Sequence, residues 1–294
     1  MSEAETTTVA PGHGTGRGHA IFEAEGIVKR FGGIRAVNGA TMSVEEGSIT
    51  ALIGPNGAGK TTFFNLITGF YKPDAGSSVF DGHDIYGKPS YAIARRGMVR
   101  TFQITKALAR MTVEDNMMLA APEQPGERVL NFLARPGSSR RRERDVREAS
   151  TELLEVFNLT KLSDNYAGTL SGGQRKLLEL ARALMAKPRF LLLDEPMAGI
   201  NPTLGKRLLD HMQRLRSDDG VTFLFVEHDM EVVMNHSDRV VVMAEGRVIA
   251  EGEPHEVRSD QAVIDAYLGG AKMSEDDVAA EQAAARPPDT EERR

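Results

Sequence analysis

Cysteine is absent from the 294 residues of the chain. Disulfide bonds, iron–sulfur clusters and cysteine-ligated zinc are therefore excluded, and the composition is compatible with a reducing compartment. Long apolar runs are also missing, since no stretch approaches the roughly 18 consecutive apolar residues that a membrane span needs. Residues 1–20 contain early acids and no apolar run, so they do not resemble a secretory signal. If the protein acts at a membrane, we expect it to bind the surface while other subunits cross.

An excess of basic residues is lacking as well. Lys and Arg number 36 against 42 Asp and Glu, which gives a net charge of −6. Non-specific nucleic-acid binding requires a basic surface, so we expect no nucleic-acid partner. The composition is 40% hydrophobic and 27% charged, as is typical of a globular protein with a real core.

Strand-like and helix-like segments alternate between two polar tails. Residues 1–20 and 271–294 lack hydrophobic periodicity, and we predict that both tails are disordered. Four short apolar runs are interpreted as strands: residues 48–53, 190–193, 221–226 and 240–243. Their alternation with helical stretches predicts an α/β core with a parallel sheet. Strand signals vanish over residues 104–157, which we interpret as a helical insertion.

A glycine-rich loop follows the first of these strands. Its residues match every required position of the P-loop pattern: Gly54, Pro55, Asn56, Gly57, Ala58, Gly59, Lys60 and Thr61. Glycines let successive backbone N–H groups point at phosphate oxygens, and the helix that follows adds favourable potential. Lys60 is expected to reach the β- and γ-phosphates of ATP, and the Thr61 hydroxyl to bind Mg²⁺. The alternative is a glycine-rich turn with a lysine by chance, but that does not explain the flanking strand and helix.

An acidic pair follows the apolar run at residues 190–193. Asp194 is predicted to hold Mg²⁺ through its water shell, and Glu195 to polarise the attacking water. A strand that simply ends in an acidic turn at Pro196 is the alternative. The P-loop favours the catalytic interpretation.

A second glycine-led helix begins after Leu170. Ser171 is a plausible N-cap, and the sequence Ser171, Gly172, Gly173, Gln174 leads into a run with helical spacing at residues 175–185. Exposed backbone donors there would form a second anion site. A capped core helix is the alternative.

These motifs together resemble one family. LSGGQ, the P-loop and FLLLDEP occur in the order typical of the ATP-binding-cassette (ABC) superfamily, and the resemblance covers residues 21–270. It implies a cassette with a P-loop core, a parallel sheet, an antiparallel β part and a helical subdomain at about residues 104–186. It also implies that two cassettes pair head-to-tail, so that Ser171 and Gly173 contact a γ-phosphate held by the other cassette's loop, from Gly54 to Thr62.

The resemblance also suggests further site residues. Gln103 matches the glutamine that touches Mg²⁺ and the attacking water. His228 matches the family's switch histidine, which contacts the γ-phosphate, and Glu195 matches the catalytic base. Phe31 stands where the family often has an adenine-stacking tyrosine. Asn201 departs from the family pattern, because many members have Asp there.

A narrower resemblance comes from RTFQ, VEHDM, AGINP, TGFYKP and AYLGG, which look like the ATPase subunit of branched-chain amino acid importers. It implies MgATP hydrolysis coupled to transport, at the cytoplasmic face of a prokaryotic plasma membrane. Expected partners are transmembrane permease subunits, a second ABC ATPase subunit (homo- or heterodimer) and, indirectly, a soluble substrate-binding protein. We expect Leu108, Met111 and Val113 to line the groove that meets the permease. The alternative is that they are core residues of the helical insertion. Amide or urea uptake, lipopolysaccharide-type export and a non-transport ABC ATPase are the alternatives.

Overall fold

The computed structural model describes residues 19–101, 108–122 and 136–267. Gln103, the C-terminal tail and most of the N-terminal tail lie outside these ranges. Within them, no helix combines the length and the apolar character that crossing a membrane requires.

Strands and helices alternate along most of the described chain. The strands are β1 Ala20–Phe31, β2 Ile34–Glu45, β3 Ile49–Ile53, β4 Ala75–Phe80, β5 His83–Asp84, β6 Met98–Arg100, β7 Phe190–Asp194, β8 Thr222–Val226, β9 Arg239–Ala244 and β10 Arg247–Gly252. The helices are α1 Lys60–Ile67, α2 Ser90–Ala94, α3 Val113–Ala120, α4 Pro136–Val156, α5 Gly172–Met185, α6 Pro202–Asp219, α7 Met230–His236 and α8 Pro254–Ser259. Residues 261–267 form a further helical segment.

The larger sheet has the strand order β10-β9-β3-β8-β7-β6. Its pairs are parallel except for β9 with β10. Every residue of β3, β7 and β8 is buried, because helices and the second sheet cover both faces. The four predicted strands are therefore confirmed as β3, β7, β8 and β9, and the parallel core is confirmed with them.

The smaller sheet has the order β2-β1-β4-β5 and its pairs are antiparallel. It confirms the antiparallel part that the ABC resemblance implied. Strands β1 and β2 form a long hairpin in which buried and exposed residues roughly alternate, as one covered face requires. Strand β1 ends at Phe31, next to the turn of the hairpin, which places this ring at the rim of the sheet.

The helical part contains α3, α4, α5 and two short 3₁₀ turns, Thr160–Leu162 and Ala167–Thr169. Thr112 caps α3 by accepting a hydrogen bond from the backbone N–H of Asp115. Val113, directly after the cap, is fully buried in the core that α5 and the sheet share. The expectation that Val113 lines a surface groove is therefore wrong: the cap turns its side chain into the core. Leu108 is exposed.

Candidate functional site

The site lies where three neighbouring strands end. β3, β8 and β7 are adjacent and parallel, so their carboxyl ends meet at the same edge of the sheet. The loop after β3 begins at Gly54, β7 ends at Asp194, and His228 follows β8 by two residues. Ligands of open α/β sheets bind at this edge. The fold thus brings the predicted phosphate loop, acidic pair and histidine together.

Two glycines shape the loop. Gly54 has a φ of 147°, and a Cβ there would overlap the carbonyl oxygen of Met243 on β9. Gly59 has a φ of 99°, and its Cβ would collide with the carbonyl oxygen of Ala36. Gly59 is also the N-cap of α1. Only glycine allows these turns, which direct the loop into the helix N-terminus.

Lys60 folds back into the loop. Its Nζ donates hydrogen bonds to the carbonyl oxygens of Gly54, at 2.6 Å, and Pro55, at 2.9 Å. Burial lowers the pKa of Lys60, and the negative charges of Glu195 and Asp194 oppose that shift. The ammonium group therefore sits between the P-loop and the acidic pair.

Asp194 is buried and its two oxygens differ. Oδ2 accepts a hydrogen bond of 2.7 Å from Nη2 of Arg100, whereas Oδ1 is buried without a hydrogen-bond partner. A buried oxygen of this kind needs a partner. Carboxylate and hydroxyl oxygens are the ligands that Mg²⁺ prefers, and it commonly keeps part of its water shell. Asp194 and Thr61, in the first turn of α1, therefore fit the predicted magnesium site.

Glu195 and His228 are in contact. Nε2 of His228 lies 3.0 Å from Oε1 of Glu195, so an imidazole protonated at Nε2 donates to the carboxylate. The backbone N–H of Glu195 donates to the carbonyl oxygen of Val226, which extends the pairing of β7 with β8 past the strand end. The Glu195 carboxylate is therefore held at the sheet edge with a histidine beside it.

The second glycine-led helix is capped as predicted. Ser171 Oγ accepts from the backbone N–H of Gln174, and Gln174 Oε1 accepts from the backbone N–H of Ser171. This capping box leaves Ser171 and Gly172 exposed at the start of α5. Gly173 is buried against α6, where an added Cβ would overlap the side chain of Leu204. A side chain at Gly173 would therefore push α5 away from α6.

Phe31 presents an exposed ring at the end of β1. Its side chain is 44% exposed, and its edge packs against Tyr71 with ring centroids 5.4 Å apart. Nζ of Lys29 lies 5.6 Å from the centroid of the Phe31 ring. The ring is thus supported by neighbours while staying open to an aromatic ligand.

Three polar residues at the site were not predicted from the sequence. Arg100 pairs with Asp194, Lys176 of α5 donates to the carbonyl oxygen of Glu195, and Glu227 accepts from the backbone N–H groups of Met197 and His228. Arg100 and Glu227 are charged residues at the ends of apolar strands. That position at a strand end was the sequence signal from which their place in the site could have been inferred.

Asn201 proves to be the N-cap of α6, through a hydrogen bond from the backbone N–H of Leu204.

This chemistry is suited to moving a phosphoryl group to water. A glycine loop and a lysine are available for an anion, a carboxylate with an unpaired oxygen is available for a cation, and a second carboxylate is available for a water molecule. The fold and the site together define a P-loop nucleoside triphosphatase.

Comparison with known proteins identifies the family. A family model described as ABC transporter matches residues 37–198, and one described as Branched-chain amino acid ATP-binding cassette transporter matches residues 247–272. The chain is 45% identical over 251 residues to the high-affinity branched-chain amino acid transport ATP-binding protein BraF of Pseudomonas aeruginosa, covering 85% of this chain and 98% of that protein. It is 44% identical over 249 residues to the probable branched-chain amino acid transport ATP-binding protein LivG of Archaeoglobus fulgidus, with 85% and 95% covered.

A solved structure agrees. The crystal structure of a nucleotide-free ATP-binding cassette from an ABC transporter matches with a TM-score of 0.73 and 40% identity, covering 85% of this chain and 99% of that one. The chain therefore belongs to the ABC transporter family, in its group of branched-chain amino acid ATP-binding cassettes. ATP hydrolysis coupled to transport is the activity of this family.

Proposed function

We propose that the protein hydrolyses MgATP to drive the import of branched-chain amino acids into a prokaryotic cell. The observation that carries the hydrolytic part is the contact of His228 with Glu195 at the strand ends that also bear Lys60 and Asp194. The match of residues 247–272 to a branched-chain amino acid family model, together with the names of the relatives, supports the substrate.

Different residues of the site bind the nucleotide and activate the water. The backbone donors of the P-loop, from Gly54 to Thr62, and the Lys60 ammonium bind the phosphates, while the Phe31 ring stacks on adenine. Glu195 accepts a proton from the attacking water, whose oxygen bonds to the γ-phosphorus as the bond to the ADP oxygen breaks. His228 orients Glu195 and the γ-phosphate.

A metal ion is part of this proposal. Thr61, Asp194 and Gln103, the last outside the described residues, would hold Mg²⁺. When bound there, Mg²⁺ supplies positive charge to the phosphate oxygens.

The proposal includes a second ABC ATPase subunit, identical or related, in head-to-tail contact. The exposed start of α5, with Ser171 and Gly172 uncovered, supports it because a helix N-terminus with free donors attracts anions. Gly173 and Gln174 would complete that contact with the γ-phosphate of the other subunit. Residues 21–270 form one cassette, with a helical subdomain at about 104–186.

The cassette pair works at the cytoplasmic face of the plasma membrane. It binds transmembrane permease subunits, which receive the amino acid from a soluble binding protein. The helical subdomain, where Leu108 is exposed, is the surface that meets the permease.

Reconstitution tests this function. The chain is co-purified with its permease subunits and second ATPase subunit, placed in vesicles and supplied with the binding protein, ATP and radiolabelled leucine or urea. We expect leucine uptake that requires ATP and is lost in Lys60→Ala. Uptake of urea without leucine would contradict the substrate, and leucine uptake that persists in Lys60→Ala would contradict the role of the cassette.

A further inference from the structure

Lys176 links helix α5 to the turn that carries Glu195. Because α5 begins in the LSGGQ sequence of residues 170–174, we call that sequence the signature and α5 the signature helix. Lys176 lies two residues after Gln174, and its Nζ donates to the carbonyl oxygen of Glu195 at 2.9 Å. The carbonyl oxygen of Pro196 lies 3.4 Å from the same nitrogen. Burial lowers the pKa of Lys176, and the charge of Glu227 is the largest influence opposing it, followed by Glu195 and Glu179. A lysine of the helical part thus bonds the backbone next to the catalytic carboxylate.

Glu227 holds the same turn from the other side. Its side chain is almost fully buried, at 5% exposure. Oε1 accepts the backbone N–H of Met197 at 2.7 Å, and Oε2 accepts the backbone N–H of His228 at 3.2 Å. One carboxylate therefore joins the turn after β7 to the loop after β8.

The turn needs such support. Glu195 has a φ of 49°, in the left-handed region that residues with a Cβ disfavour. A strained residue keeps this conformation only where its surroundings hold it. Three groups hold it: the carbonyl oxygen of Val226, the Lys176 ammonium and the Glu227 carboxylate.

We propose that Lys176 and Glu227 are positioning residues for ATP hydrolysis. Both act through the backbone around Glu195 and His228, and together they hold these two residues at their contact distance. Lys176 also transmits the position of the signature helix to Glu195. In the head-to-tail pair proposed above, on which this second role depends, the signature binds one nucleotide and Glu195 of the same chain acts on the other. Lys176 would then connect the two ATP sites.

Steady-state ATP hydrolysis tests the positioning role of Lys176. Lys176→Met keeps the aliphatic stem and removes the donor, while Lys176→Arg keeps a charged donor. We expect kcat to fall about 10- to 100-fold in Lys176→Met, since a displacement of about 1 Å at a catalytic group can have that effect. KM for MgATP should stay within about twofold, because the phosphate loop is a separate segment, and Lys176→Arg should recover much of kcat.

The matched control is Lys161→Met, which removes an exposed lysine of the helical part. It should leave both constants unchanged. A kcat of Lys176→Met within twofold of the wild type, or a raised KM at normal kcat, would overturn the positioning role of Lys176.

Glu227→Gln tests the second support independently. The amide keeps the shape but offers one acceptor oxygen, so one of the two backbone N–H groups loses its partner. We expect kcat to fall about 10-fold or more with KM unchanged, in a protein that still melts cooperatively. A wild-type kcat in folded Glu227→Gln would show that the carboxylate does not position the turn.

Hydrogen exchange tests the connection between sites. In a Glu195→Gln background with MgATP, pairing is followed by size-exclusion chromatography and the backbone exchange of Met197 and Ala198 by mass spectrometry. We expect pairing to slow this exchange when Lys176 is intact and not in Lys176→Met. Equal slowing in both proteins would overturn the connection. Failure to pair at all would contradict the head-to-tail arrangement and the connection with it, while the kinetic tests would still decide the positioning role.

Discussion

Arg100 and Asp194 form an ion pair inside the protein. Nη2 and Oδ2 are 2.7 Å apart, and the two side chains are only 5% and 2% exposed. Nη1 of Arg100 also donates to Oδ1 of Asn65 on α1 at 2.6 Å, and the guanidinium lies over the ring of Phe64. One arginine therefore joins β6, β7 and the helix that follows the phosphate loop, and it leaves Oδ1 of Asp194 free for a cation.

Removing this arginine should destabilise the protein strongly. Arg100→Met leaves the buried Asp194 charge without its partner, so we expect the free energy of unfolding to fall by about 3–5 kcal/mol. Arg100→Met combined with Asp194→Asn should lose less than the sum of the single changes. Urea denaturation of the four proteins measures the coupling.

The control for Arg100 is a surface pair. Arg144 and Glu148 are 68% and 67% exposed, so Arg144→Met should change the free energy of unfolding by no more than about 0.5 kcal/mol. Equal losses in Arg100→Met and Arg144→Met would contradict a structural role for the buried pair.

Gly54→Ala should disrupt the phosphate loop. The added Cβ would overlap the carbonyl oxygen of Met243, and the φ of 147° is unfavourable for alanine. We expect a loss of at least about 2 kcal/mol in the free energy of unfolding, with weakened MgATP binding. Gly33→Ala is the control, since a Cβ there meets nothing within 4 Å and no positive φ constrains the residue. Calorimetry and nucleotide titration compare the two, and normal binding by Gly54→Ala would be the contrary result.

Glu195→Gln should separate binding from hydrolysis. The amide oxygen can still accept from Nε2 of His228, but the side chain no longer takes a proton from water. We expect kcat to fall by about 10²- to 10⁴-fold while MgATP affinity is retained. Phosphate release and binding of a fluorescent nucleotide measure the two quantities. Hydrolysis at the wild-type rate would remove Glu195 from the mechanism.

Phe31→Ala should weaken nucleotide binding without slowing the chemical step. Stacking of a base on an aromatic ring is worth about 1–3 kcal/mol, so KM for MgATP should rise roughly 5- to 150-fold at similar kcat. Phe31→Tyr should keep the wild-type KM. Tyr91→Ala, at an exposed tyrosine elsewhere, is the control. An unchanged KM in Phe31→Ala would mean that adenine binds elsewhere.

Glu227 makes a pH-dependent contribution to stability. Burial raises its pKa above the ordinary value of 4.5, so the folded protein holds this proton longer than the unfolded chain does. Its contribution is complete below pH 4.5 and is lost as pH rises through the folded pKa, at about 1.4 kcal/mol per pH unit in that window. Glu227→Gln does not titrate. The free energy of unfolding of Glu227→Gln, relative to that of the wild type, should therefore increase as pH rises from 4.5. Urea denaturation at several pH values measures this difference, and a difference that does not change with pH would contradict the prediction.

Local signals made much of this site predictable from the sequence. The fully apolar strands β3, β7 and β8 are buried on both faces, so their burial is visible without knowledge of neighbours. Because their carboxyl ends meet, Gly54, Asp194 and His228 could be expected at one place. The cap at Ser171 depends on residues three positions apart and was equally visible.

Other features depend on partners that are distant in sequence. Arg100 and Asp194 are 94 positions apart, and nothing near either residue marks the other. Lys176 lies on a helix whose other polar residues suggest a solvated face. Strands β1 and β2 are buried on one face only, which gives a weaker pattern. Val113 was misassigned because one position along α3 separates the core from the surface.

The arrangement of β3, β8 and β7 has a consequence for defects in the core. Backbone hydrogen bonds space adjacent strands about 4.8 Å apart whatever their side chains, so the spacing of the three strand ends does not depend on how tightly the layers pack. The turns beyond those ends are held separately, by Lys176 and Glu227. Shortening a buried side chain such as Leu192 should therefore yield a heat-labile enzyme whose surviving molecules turn over at a normal rate. Thermal inactivation and specific activity would vary independently in such variants.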